Sequence, residues 1–112
     1  MDNSQSSLQL NARRHQGEVN ERRRQMLAPV AVALRNPVQA PSVIAAAHRQ
    51  VSLWRNGKLC SGDYIRAWED LLQHPERAAA VLEDQSPKAA QLRQNSPFAE
   101  FIRSPSRLLH AA

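Results

Sequence analysis

The stretch that decides the fold is residues 42–72, SVIAAAHRQVSLWRNGKLCSGDYIRAWEDLL. Ile44, Ala47, Val51 and Trp54 recur at spacings of three, four and three, which places them on one face of a helix. Ser42 is the predicted N-cap, its hydroxyl available to an orphan amide of the first turn. Asn56-Gly57 is the predicted stop, with Gly57 in the left-handed conformation that a residue without Cβ adopts at no steric cost. A second helix is expected to start at Ser61 or Asp63. Its apolar stripe is Tyr64, Ile65, Trp68, Leu71 and Leu72, set against Arg66, Glu69, Asp70 and Gln73, and His74-Pro75 ends it. Two amphipathic helices joined by a turn bury both stripes by packing antiparallel, with Trp54 and Trp68 near the contact.

C-terminal to this pair the punctuation is regular: Pro75, Ser86-Pro87, Ser96-Pro97 and Ser104-Pro105. Ser followed by Pro marks a helix start, because the amide that Pro lacks would have had no partner in the first turn. The pattern predicts short helices at residues 75–83, 87–94 and 97–103, with a frayed end over 105–112. No segment alternates with the period of two that a strand requires. The expected fold is therefore all-α, a small helical bundle of four to six short helices. Its core is expected to be Ile44, Val51, Trp54, Tyr64, Ile65, Trp68, Leu72, Phe98 and Phe101.

N-terminal to the pair the chain reads differently. Residues 1–16 are mostly Ser, Asn, Gln and Arg, and such a segment buries too little to offset its ordering entropy. Residues 1–28 are expected as a flexible basic arm, helical over about 18–27. Pro29, Pro37 and Pro41 then predict a connector over 29–41, since each removes an amide donor and disfavours helix for the residue before it. The core domain is expected to span 42–104.

Composition narrows the function class. The chain has 112 residues, enough for one modest core and too few for a pocket between two domains. Cys60 is the single cysteine, which excludes a disulfide scaffold or a Cys-rich zinc module. Of the 15 basic residues 13 are Arg, and 17 positions are Ala, the bias of a GC-rich bacterial genome. The net charge of +5 is uneven: residues 1–35 carry six basic against three acidic groups, whereas everything from residue 36 onward nets only +2.

Residues 23–34 imitate a twin-arginine export signal. Their apolar run is short for a translocated segment, contains Pro29 and is closed by Arg35. No run approaches the ~18–20 apolar residues of a membrane span. A cytoplasmic protein that does not enter the membrane is expected.

Enzyme chemistry finds little to work with. Gly17, Gly57 and Gly62 do not have the spacing of a phosphate-cradling loop. Asp70 and His74 are two ligands at most, fewer than a metal site needs. Cys60 with His48 is the one nucleophile–base pairing that a fold would have to assemble. No cofactor and no metal are expected, and the protein is read as a non-enzyme.

Two binding readings remain. The first is a bacterial regulatory or adaptor protein, antitoxin-like or an accessory factor, that binds another protein through Met26, Leu27, Val30, Val32 and Leu34. The same apolar run has the alternative of packing back onto its own domain. The second is a small nucleic-acid-binding regulator in which Arg13, Arg14, Arg22, Arg23 and Arg24 neutralise phosphates without reading bases. The rival for that arm is a solvated helical tail.

Overall fold

A computed structural model describes residues 3–110. It is all-α, with six helices: α1 (Asn3–Leu34), α2 (Ala40–Gly57), α3 (Gly62–Leu72), α4 (Pro75–Glu83), α5 (Pro87–Arg93) and α6 (Ala99–Arg103). A short 3₁₀ helix (Pro105–His110) follows. Among the described residues no helix is long and apolar enough to cross a membrane.

The N-terminal third departs most from expectation. In place of an arm to residue 28 and a connector from 29, one helix runs 32 residues through Pro29. Its last two turns belong to the core: Leu27, Val30, Ala31, Ala33 and Leu34 are all buried. Pro29 is tolerated because its side chain and that of Gln25, whose carbonyl loses the proline's amide, both lie on the exposed side. Burial of the neighbouring positions against the bundle, chiefly α4, outweighs the lost bond.

The other two prolines cost less. Pro37 lies in the turn, where the Asn36 carboxamide accepts from the amides of Val38 (2.9 Å) and Gln39 (3.4 Å). Pro41 sits in the first turn of α2, which begins at Ala40 and not at Ser42. Ser42 is thus inside the helix and exposed. At the other end of α2, Gly57 completes the last turn and Lys58 takes the left-handed conformation at φ 54°. The stop falls one residue later than Asn56-Gly57 implies.

The boundaries of α3, α4 and α5 follow their local chemistry. The Ser61 hydroxyl accepts from the Tyr64 amide and that of Ser86 from the Ala89 amide, both at 3.2 Å. Proline opens both α4 and α5. Around them the core residues gather with two adjustments. Trp54 pairs with Tyr64 (ring centroids 5.9 Å apart) and Trp68 with Phe98 (5.6 Å, edge to face), so the tryptophans each take a different aromatic partner. Ile44 and Tyr64 are only half-buried. Residues 105–110, expected to fray, form the 3₁₀ helix with Leu108 buried on the core, while 111–112 lie outside the described residues.

Long helix and small bundle give the molecule its outline. The 32 residues of α1 extend for about 48 Å at 1.5 Å per residue. The whole measures 58 × 28 × 23 Å, and residues 12–18 of α1 are exposed on every side chain.

Candidate functional site

The five apolar residues predicted as protein anchors divide in two. Leu27, Val30 and Leu34 face the bundle and are 0–2 % exposed, so they hold the fold and are not free to hold a partner. Met26 and Val32 are 48 % and 68 % exposed on the outer side of the same helix. Helical geometry separates the two sets: positions 27, 30 and 34 stack on one face, and 26 and 32 fall to either side of it.

Met26 and Val32 do not stand alone. Val32, Pro29 and Ala33 form one wall of an apolar groove of about 650 Å³ whose other wall is Pro105 and Leu108 of the 3₁₀ helix. A smaller cavity of about 200 Å³ adjoins it, sharing Pro29, Pro105 and Leu108 and adding Met26, Phe101 and Ile102. Gln39 closes one end, its Nε2 donating to the Leu108 carbonyl at 3.0 Å and fixing the 3₁₀ helix against the α1–α2 turn. The groove exists because α1 continues past Pro29 and because the C-terminal residues fold back along it. Neither feature is visible in the apolar periodicity of α2 and α3.

The five arginines of the predicted basic stretch also separate. Arg13, Arg14 and Arg22 are exposed and, among the described residues, make no ion pair. Arg23 is half-buried and reaches Asn20. Arg24 is committed: it grips the Glu21 carboxylate at 2.6 and 2.8 Å and reaches the Glu83 carbonyl at 3.3 Å. That grip holds the Glu21 carboxyl below the usual carboxylate range and pushes the Arg24 guanidinium up. Other basic residues that sequence leaves free are paired, Arg35 with Glu83, Arg55 with Glu69, Arg66 with Asp63 and Arg107 with Glu100.

Cys60 and His48 are not brought together at a site. Cys60 lines a cavity of about 260 Å³ with Ser61, Tyr64, Gln91, Gln94 and Asn95, and no histidine is among them. His48 is exposed on α2. The thiol accepts from the Asn95 carboxamide at 3.1 Å. Tyr64, beside it, is occupied in holding the bundle together. Its hydroxyl donates to the Leu92 carbonyl at 2.6 Å, sits 2.9 Å from that of Asn95, and accepts from the Asn95 amide. The Trp68 indole adds a bond to Leu92 at 3.2 Å, so two aromatic side chains of α3 cap the orphan carbonyls at the end of α5. Burial pushes the Tyr64 phenol up. Among the described residues, no three His, Cys, Asp or Glu side chains gather as a metal ion would need.

One residue that sequence reading passes over is Arg93. It is buried, with Nη1 donating to the carbonyls of Val81 (2.7 Å) and Asp84 (2.5 Å). In a short helix of mixed composition such a residue reads as solvated, and no local pattern marks it otherwise. Comparison of the chain with protein-family models, with curated proteins and with solved structures finds no match.

Proposed function

We propose that the protein is a non-enzymatic binding module, a regulatory or adaptor protein of the bacterial cytoplasm in the manner of an antitoxin or accessory factor. In this reading it receives an apolar segment of another protein in the groove between α1 and the C-terminal 3₁₀ helix. The observation that supports it is the groove itself, lined by Pro29, Val32, Ala33, Pro105 and Leu108, with Met26 exposed beside it. Apolar side chains held open on a rigid helix bury area on a partner without first paying to order themselves.

A photo-crosslinking side chain placed at Val32 tests this. It is expected to label one protein reproducibly, while the same group at Leu53, also well exposed but on α2, labels none. Met26→Asp, in the chain that carries the crosslinker at Val32, abolishes the label and leaves the circular dichroism spectrum unchanged. Equal labelling from both positions sinks the reading.

A second reading has its own support. Arg13, Arg14 and Arg22 are free of acidic partners among the described residues and lie on one long helix, a form that neutralises phosphates on a nucleic acid. Engagement of these three arginines gives a slope of log K against log salt of about −2.7 on B-DNA. Retention on heparin that is lost at low salt, or a flat slope, removes it.

A further inference from the structure

Among the described residues Arg93 is the one buried charged side chain, 4 % exposed. Its guanidinium donates from Nη1 alone, and its enclosed Nε has no partner. A guanidinium presents Nε and Nη2 as a parallel pair of donors along one edge, the edge that fits two oxygens of an oxyanion. Here no protein acceptor meets that edge, although a buried charge is costly unless its donors are satisfied.

Arg93 lines a cleft of about 310 Å³ whose walls include Gly17, Asn20, Glu21 and Arg24 of α1 and Pro87 at the start of α5. Of the side chains on its walls two are guanidiniums and one is a carboxylate, with the Asp84 carboxylate also near Arg93. Burial and the neighbouring Arg24 charge push Arg93 below the usual guanidinium range, in keeping with cations crowded together. Gly17 adds an independent sign. Glycine inside a helix is unfavourable, and here no close neighbour demands it, since a Cβ would meet nothing within 4 Å. A glycine on the wall of this cleft keeps its space open.

We propose that the cleft binds the phosphate group of a small phosphate monoester. Its terminal oxygens accept from Arg24 and, once the ligand has displaced Glu21 and uncovered the enclosed Nε edge, from Arg93, beside the Asn20 carboxamide. The choice of phosphate over carboxylate rests on stoichiometry. A carboxylate has two oxygens, which one guanidinium edge consumes, and Glu21 already plays that part at Arg24. A phosphoryl group has three terminal oxygens and up to two charges, enough to bridge both arginines. Glu21 is then a competitor that the ligand displaces. The proposal is independent of the docking groove, which Met26, Pro29 and Val32 line on another part of α1.

The test titrates the full chain at fixed ionic strength with phenyl phosphate, inorganic phosphate, dimethyl phosphate and acetate, following heat and phosphorus resonance shifts. Saturable binding of phenyl phosphate and inorganic phosphate in the millimolar range is expected, with dimethyl phosphate and acetate about tenfold weaker or more. Better binding of the diester would point to a nucleic-acid backbone and overturn the monoester assignment. Arg24→Gln weakens phenyl phosphate about fivefold or more, and Glu21→Gln tightens it. Gly17→Leu fills the cleft where nothing stands within 4 Å of the new Cβ, so binding is lost from a folded protein. If Arg24→Gln and Gly17→Leu bind as the parent does, or all four anions bind alike, phosphate is an adventitious ion only and the proposal fails.

Discussion

The two halves of α1 share one unbroken helix and have opposite surroundings. From Leu27 to Leu34 the helix gives five residues to the core and carries a proline. Over residues 12–18 every side chain is exposed, and the helix carries a glycine. The half with the stronger helix breaker is the better anchored one. Intrinsic propensity therefore does not decide where this helix is secure. Packing against α4 does, because a buried Leu contributes about 1.5–3 kcal/mol, and five buried positions together outweigh the about 3 kcal/mol that a helix-interior proline costs. The projecting half depends on its own backbone bonds and on contacts such as that of Gln16 with Asn20 at 3.1 Å.

The sharpest way to break this contrast is to truncate one apolar side chain in each half. Leu27→Ala is expected to cost about 2–5 kcal/mol, as a fully buried Leu does when the cavity cannot collapse. Val19→Ala, at a half-buried position, is expected to cost under about 1 kcal/mol. Urea denaturation of both variants gives the comparison directly. Similar costs would mean that the first half is as much a part of the core as the second.

Pro29→Ala comes next. It restores a donor for the Gln25 carbonyl and removes the ring from the helix interior, so a gain of about 1–3 kcal/mol is expected. The gain is read as a higher denaturation midpoint with an unchanged slope. A loss of stability would show that the Pro29 ring, on the wall of both cavities beside the 3₁₀ helix, packs there to more effect than it disrupts.

How much of this was legible in the chain depends on whether the deciding interaction is local. α3, α4 and α5 announce themselves because Ser61, Pro75 and Ser86-Pro87 act on amides within three residues of themselves. Trp54, Ile65, Trp68 and Leu72 are legible as core because helical spacing fixes their faces; Phe98 and Phe101 are buried as expected, although α6 begins at Ala99, after Phe98, and not at Pro97. Pro29 misleads because its local cost is offset by α4, more than 40 residues along the chain. Lys58 misleads by one residue, since the last turn of α2 closes with the Leu59 amide on the Trp54 carbonyl at 2.9 Å and leaves the left-handed position after Gly57. The groove was half legible, through Met26 and Val32, and its other wall was hidden in a segment expected to fray. Arg93 was not legible at all. Its burial follows from three chain segments meeting, α1, the end of α4 and α5, and no periodicity encodes that.

Gly17→Ala sharpens the comparison from the other side. Alanine restores about 0.5–1 kcal/mol of helix propensity at a position where its Cβ touches nothing. Because the projecting half can open without unfolding the bundle, the gain is expected as slower amide exchange around residues 13–21, with little change in Tm. The same class of substitution at Pro29 moves Tm. If Gly17→Ala raises Tm as much as Pro29→Ala does, the helix melts as one unit.

The smallest effect expected is at the boundary between the halves, where Glu21 and Asp84 approach Arg93. The Arg24 side chain holds the Glu21 carboxyl down, and the Ser86 amide and hydroxyl do the same to Asp84 (3.1 and 3.0 Å). A carboxyl whose folded pKa lies below its unfolded value binds its proton more weakly in the native state. Its contribution is fully present above the unfolded value, near pH 4 to 4.5 for these groups, and disappears as pH falls through the folded one. Glu21→Gln with Asp84→Asn is therefore expected to lower Tm slightly at pH 6 and to converge with the parent in acid. Both carboxylates are solvent-exposed, so the shift is small, and adding salt reduces the part due to Arg24. Convergence with falling pH assigns the difference to the ionised carboxylates, Glu21 held by Arg24 within α1 and Asp84 by Ser86 in the α4–α5 turn. A constant offset at every pH would instead assign the difference to lost packing.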